Sequence, residues 1–365
     1  MGNEKQLQKA GDNSQQVQAD AVNVTNNYII GIDEKRVREV CSEMALETIK
    51  SCTQDATETA LTRIENFTAT LVPRIEKIEK DFHSFSEPSF QFLLQSAQKT
   101  AACTEREVDY EMLSELLVHR IEKKTERKTT TSIAKAIEIV DQIDDDALCG
   151  MTIVHTMCNI FPVNPNIRVG INALGDLYDS LLYTELPKGG EWLEHLSILN
   201  AIRTIQYSGT PQIEHIFEEK LSGYYCIGIK KDSENYSKAL EIIENTKLPN
   251  DILVENELLE DFVKIPIVNK SQISQLRIST GQSWHNITEN EIQAVKHIIS
   301  LYSNDYNLKN DMKNNFMLEW NKYESLQKIA EWWNKIPQGF NITSIGCVLS
   351  HANAQRYNSK IPNLN

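Results

Sequence analysis

The stretch "DEKRVREVCSEMALETIKSCTQDATETALTRIENFTATLVP", Asp33–Pro73, decides the fold. Apolar or small residues recur in it at three- and four-residue steps: Val37, Cys41, Met44, Ile49, Cys52, Ala56, Ala60, Ile64, Phe67 and Leu71. That spacing places one stripe along a helix. Asp33 can accept from the first free backbone N–H groups, as an N-cap does. No Gly or Pro intervenes before Pro73, so a single helix of roughly 38 residues, about 57 Å long, or a helix pair is expected. Thr and Ala are as frequent on the stripe as Leu. Such a seam fits close, coiled-coil-like packing in a larger bundle better than a leucine-rich dimer.

Upstream, "AGDNSQQVQADAVNVTNNYIIGI" (Ala10–Ile32) has a different period. Val17, Ala19 and Ala21 fall on one side of an extended chain. Val22 and Val24 fall on the other, after a one-residue phase change of the kind a bulge produces. A lone ribbon cannot cover its apolar side or satisfy its backbone edges. Val17, Ala19, Val22, Val24, Tyr28 and Ile30 are therefore expected to pair with other copies of the chain, with residues 1–32 and the long helix forming a homo-oligomer.

Downstream the periodicity stays helical. "SEPSFQFLLQSAQKTA" turns Phe90, Leu93, Leu94 and Ala97 inward, with Pro88 at the start. "DYEMLSELLVHRIEKKTERK" does the same with Leu113, Leu116, Leu117 and Ile121, and "TSIAKAIEIVDQI" with Ile133, Ala136, Ile137, Val140 and Ile143. "GEWLEHLSILNAIRTIQYSG" reads as a helix stopped by Gly209 and Pro211, and "LPNDILVENELLEDFVKIPIV" as one ended by Pro266. Thr288 and Glu291 have capping-box spacing. Near the end, "FNI" reads as extended and a helix follows from Thr343. The expected architecture is mainly α: a long N-terminal helix and a multi-helix bundle, preceded by a short β-like oligomerisation ribbon. Its segments are residues 1–32, 33–86 (long helix or helix pair), 87–222 (helical core) and 223–365 (C-terminal helical domain).

The chain has 365 residues and a formal charge of −14. A field of that sign opposes attraction to nucleic acid or anionic lipid and helps keep a protein in solution. Seven dispersed cysteines, with no CxxC and no signal peptide, indicate reduced thiols in the cytoplasm. Gly2 is followed by Gln6 where a myristoylation signal needs Ser or Thr. "ALCGMTIVHTMCNIFPVNPNI" (Ala147–Ile167) lacks Asp, Glu, Lys and Arg, but polar residues and prolines interrupt it. A span needs about 20 apolar residues, so this reads as a helix buried in a protein core.

Motifs of catalysis are absent. There is no HExxH, no GxxxxGK[ST], no GxGxxG after a strand and no GxSxG. No cofactor or metal is expected. His155 on the uncharged helix reads as a core histidine, and His119 and His195 as solvated or capping groups beside charged residues. The acidic run Asp141, Asp144, Asp145 and Asp146 caps the helix after it. "RIEKKTERK" is the one basic cluster, and a helix C-terminus favours such charge. Trp320, Trp332 and Trp333 could form a partner-binding surface, against the plainer reading that they pack inward.

"GDNSQQVQADAVNV", followed by "GIDEKRVREV" and a long helix, resembles the opening of an uncharacterised family of bacterial helical proteins with a GDNS-x-x-x-QA segment. "FQFLLQSAQKTAACTEREVDYEMLSELLVHRIEKKT" (Phe90–Thr125) and "FNITSIGCVLSHANAQR" (Phe340–Arg356) are similar to later parts of the same family. No activity comes with the resemblance. Ribbons of this type also resemble self-association modules at the start of bacterial conflict and anti-phage proteins. The resemblance implies a cytoplasmic, non-enzymatic, oligomeric sensor or scaffold in anti-phage defence, contacting a phage or host protein. Two alternatives stand beside it: an effector that rearranges to expose its uncharged helix to a membrane, and a divergent enzyme without a recognisable motif.

Overall fold

A computed structural model describes residues 33–50, 53–205, 209–279 and 283–364. The six ribbon residues from Val17 to Ile30 lie outside them. The described chain is mainly α. Its first part runs α1 (Glu34–Ile49), α2 (Gln54–Ile78), α3 (Pro88–Cys103), α4 (Glu107–Glu122), α5 (Arg127–Ile137), α6 (Asp145–Asn159), α7 (Ile167–Leu181) and α8 (Glu191–Ile198). Then come β1 (Ile202–Thr204), α9 (Ile213–Lys220), β2 (Ile229–Lys230), α10 (Glu234–Thr246), β3 (Val254–Glu255), β4 (Phe262–Lys264), β5 (Arg277–Ser279), β6 (Trp284–Asn286) and α11 (Glu289–Ser300). The chain closes with α12 (Tyr306–Trp320), α13 (Glu324–Trp333), β7 (Phe340–Ile342) and α14 (Ser344–Tyr357).

The opening is a helix pair. Asp33 caps α1 by accepting from the Arg36 N–H at 2.8 Å. The pair divides before Gln54, not at Pro73: Thr53 is extended, with ψ 164°, where it precedes α2. Ser, Cys and Thr are weak helix formers, and their side chains compete for backbone partners. Pro73 sits inside α2 on its exposed side, where the missing N–H faces water. Of the predicted stripe, Val37, Cys41, Ile49, Ala60, Ile64, Phe67 and Leu71 are buried, while Ala56 is exposed.

The inward sets read for α3, α4 and α5 are all buried. The uncharged segment becomes α6, whose residues 147–153 and 155–157 are buried, and it packs lengthwise on α14. Among the described residues no helix is long and apolar enough to cross a membrane. α14 is covered on several sides, by α4, α5 and α6, and carries Ser350, His351 and Asn353 into the interior. Asn353 Nδ2 donates to Thr152 Oγ1 at 2.8 Å, so this buried amide is partly satisfied across the α6–α14 contact.

Three expectations fail, the first two through partners distant in sequence. The helix from Gly190 ends at Ile198; Asn200 turns left-handed (φ 56°), and β1 pairs antiparallel with β7, Ile202 opposite Ile342. Leu248–Val268 forms no α-helix, only a single 3-10 turn at Asn250–Ile252. It forms β3 and β4 in a sheet of order β2-β4-β3, and β4 is buried at all three positions. Asn256 holds that bend, donating to the Cys226 and Ile227 carbonyls, both at 2.9 Å. "FMLEWNKYESLQKIAEWWNK" (Phe316–Lys335), whose period reads as one helix, is two, α12 and α13, separated at Asn321–Tyr323.

Two cores result. The larger joins α1–α9 to α12–α14, so the chain after Tyr306 returns to the body built by its first half. The smaller is formed between Ile229 and Ile298, by α10, α11 and the short strands around Ile243, Ile265 and Val295. Tyr224 lies at their seam, with its ring over Gly170, where any side chain would collide with it.

Candidate functional site

A concavity of about 740 Å³ lies between the α7–α8 connection and α13. Local sequence builds its wall. Pro187 and two glycines break the helix after Leu181, and Gly189 adopts φ 68°, which a side chain would strain. Two indoles then fasten the connection: Trp332 Nε1 donates to the Pro187 carbonyl at 2.8 Å and Trp192 Nε1 to that of Gly189 at 3.1 Å. Their rings stand 5.9 Å apart, and Phe340 meets Trp192 edge-on at 5.5 Å. Gly150 of α6 backs the same wall; a Cβ there would lie 2.8 Å from Pro187. The floor is therefore fixed before any ligand arrives.

Charge sits on the rim. Lys188 pairs with Glu185 at 3.4 Å, and Lys328 with Glu324 at 2.6 Å, a neighbour outside the cleft. Lys335 has no carboxylate within ion-pair distance among the described residues. Leu182, Leu186 and Ile336 add aliphatic surface. Among the described residues that line it there is no histidine, cysteine or aspartate. Glu331 lines the cleft too, so it offers apolar contact, two preset indoles and charge of both signs, which suits binding.

The three tryptophans do not make one surface. Trp320 and Trp333 are buried, donating to the carbonyls of Leu326 and Pro211, each at 2.8 Å. Trp332 alone of the three lines the cleft. Trp192, which complements it, carried no signal in the sequence beyond its place on an amphipathic helix.

A second constellation is interior. His119 (α4), His155 (α6) and His351 (α14) converge, with rings 5.7 and 5.8 Å from His351. His119 is fully buried, against the solvated role expected for it, because α14 covers that face of α4. His195 does act at a helix start, accepting from the Asp144 N–H at 3.3 Å. His351 Nε2 donates to the Pro362 carbonyl at 2.9 Å, and His119 Nε2 meets Gln355 Oε1. Among the described residues no three His, Cys, Asp or Glu side chains are placed to hold a metal ion. Burial also keeps the thiols protonated: Cys41 and Cys149 are pushed up to about 12.

Burial pushes His155 and His351 down to about 4, and lowers His119 as well. They are neutral in the folded chain and regain a value near 6.5 on unfolding. Their contribution is full above pH 6.5, is lost as pH falls towards 4, and levels off below. Glu115, pushed up by burial, offsets part of this at the acid end. The expected loss is on the order of 1 kcal/mol per pH unit per histidine. Urea unfolding at pH 7.5 and pH 5 checks it, and equal midpoints would refute it.

The model of an uncharacterised family matches residues 31–365, and the chain belongs to that family. No curated protein and no solved structure matches it.

Proposed function

We propose that this member of the family is a non-enzymatic, self-assembling sensor or scaffold whose recognition site is the cleft of Trp192 and Trp332. The observation that carries the reading is the preset aromatic floor under a charged rim of three lysines and two glutamates, on which Lys335 has no carboxylate partner among the described residues. It favours a protein segment with an apolar anchor and acidic flanks, bound with little ordering of the site. Self-association is assigned to residues 1–32 with the α1–α2 pair, on the alternation of Val17, Ala19, Val22, Val24, Tyr28 and Ile30. Support from the described residues is an exposed apolar patch beside α1: Phe92 is 73% exposed and borders a small groove with Met44. Anti-phage defence in bacterial cytoplasm is the proposed setting, on the resemblance of the GDNS opening.

The test has two parts. Light scattering is expected to find several protomers for the full chain and fewer for a chain starting at residue 33; two monomers overturn assembly. Phage challenge of cells producing the full chain is expected to reduce plaque numbers. Lys328→Glu with Lys335→Glu, or removal of residues 1–32, should abolish the protection. Equal plaque numbers with and without the full chain overturn the defence role. Protection that survives the charge reversals overturns the cleft.

A further inference from the structure

The seam between the two cores opens into another cleft, of about 520 Å³. Lysines enter it from both sides. Lys270 follows the last strand of the β2-β4-β3 sheet, and its backbone N–H is anchored on Ser222 Oγ at 3.0 Å. Lys309 and Lys313 lie four residues apart on α12, hence on one face of it. Lys313 is paired with Glu214 at 3.1 Å. Lys270 and Lys309 have no carboxylate within ion-pair distance among the described residues. Glu218 is the one acidic side chain among the described lining residues, and Asp305 nearby is turned onto the N–H groups of Asn307 and Leu308. In a chain of charge −14, this is a local reversal of sign within a cavity.

One more feature points to the ligand. Tyr306, at the start of α12 and three residues before Lys309, lines the same cleft and is 74% exposed. A large flat ring left in water next to cations is a stacking surface for a planar base. We infer that the cleft binds a nucleotide, with its phosphates on Lys270, Lys309 and Lys313 and its base on Tyr306. The volume suits a ligand of that size.

Calorimetric titration of the full chain with ATP and with inorganic triphosphate, at low salt and without divalent cations, tests this. Both are expected to bind saturably and to weaken as salt rises. Lys270→Ala with Lys309→Ala should weaken both by about tenfold or more. Tyr306→Ala should weaken ATP and leave triphosphate unchanged, and Lys328→Ala, in the other cleft, should change neither. All these positions are at the surface, and unchanged circular dichroism checks the fold. No saturable binding of either probe, or binding that survives the double substitution, overturns the site. Triphosphate binding as tightly as ATP overturns the nucleotide assignment.

Discussion

Trp320→Ala is expected to remove roughly 4–6 kcal/mol of stability, the sum of an aromatic-to-alanine cavity and one lost buried hydrogen bond. Trp320 is fully buried. Its ring lies 4.5 Å from that of Phe217 and 5.9 Å from that of Phe316, stacked on the latter, so it joins α9 to α12. Its Nε1–H, given to the Leu326 carbonyl, holds α13 in the turn that follows. Alanine would empty the first role and remove the second. Typical domains have only about 5–15 kcal/mol in total, so the variant should approach the unfolded state at 37 °C. Trp320→Phe keeps most of the apolar volume and should lose about half as much. Urea denaturation followed by circular dichroism measures both. A loss below about 2 kcal/mol for alanine would show that neighbouring helices collapse into the space.

Lys264→Ala should be nearly as damaging, at about 3–5 kcal/mol, for a different reason. Lys264 is fully buried on β4, with Nζ 2.8 Å from Glu257 Oε2 and 5.9 Å from the centre of the Tyr224 ring. The other carboxylate oxygen of Glu257 accepts from the Ile167 N–H at 3.2 Å, at the first residue of α7. The pair thus links the sheet of the smaller core to the larger one. Alanine alone would strand a carboxylate in a mostly dry place. Replacing both partners, Lys264→Met with Glu257→Gln, removes the charges together, keeps an acceptor for Ile167, and should come within about 1–2 kcal/mol of the parent. A double-mutant cycle decides: if the double variant loses as much as the two singles added, the groups are not coupled.

Much of the architecture was legible because helices declare themselves locally. The Asp33 cap, Pro88 at the start of α3, the Thr288–Glu291 box and the turn from "FNI" into α14 at Thr343 all depend on residues within four positions of one another. The candidate cleft was less legible. Trp332 stands out as a large aromatic, but nothing near it in sequence says that its indole will hold Pro187, 145 residues away. Trp320 and Trp333, equal to it in sequence terms, went to the interior. His119 looked solvated because its own helix is charged, and α14 decides otherwise by lying over it.

By itself the sequence determined the mainly α class, the helical opening though not its division before Gln54, the inward faces of α3 to α5 and the interior fate of the uncharged α6. Each follows from side-chain period and from caps, which act over one or two turns. Only the tertiary structure decided that β1 would leave its helix for β7, that Leu248–Val268 would become strands, and that the chain after Tyr306 would rejoin the first core. Those outcomes depend on partners tens to well over a hundred residues distant. The free energy of burying a strand between them exceeds the fraction of a kcal/mol per residue by which local propensity prefers a helix.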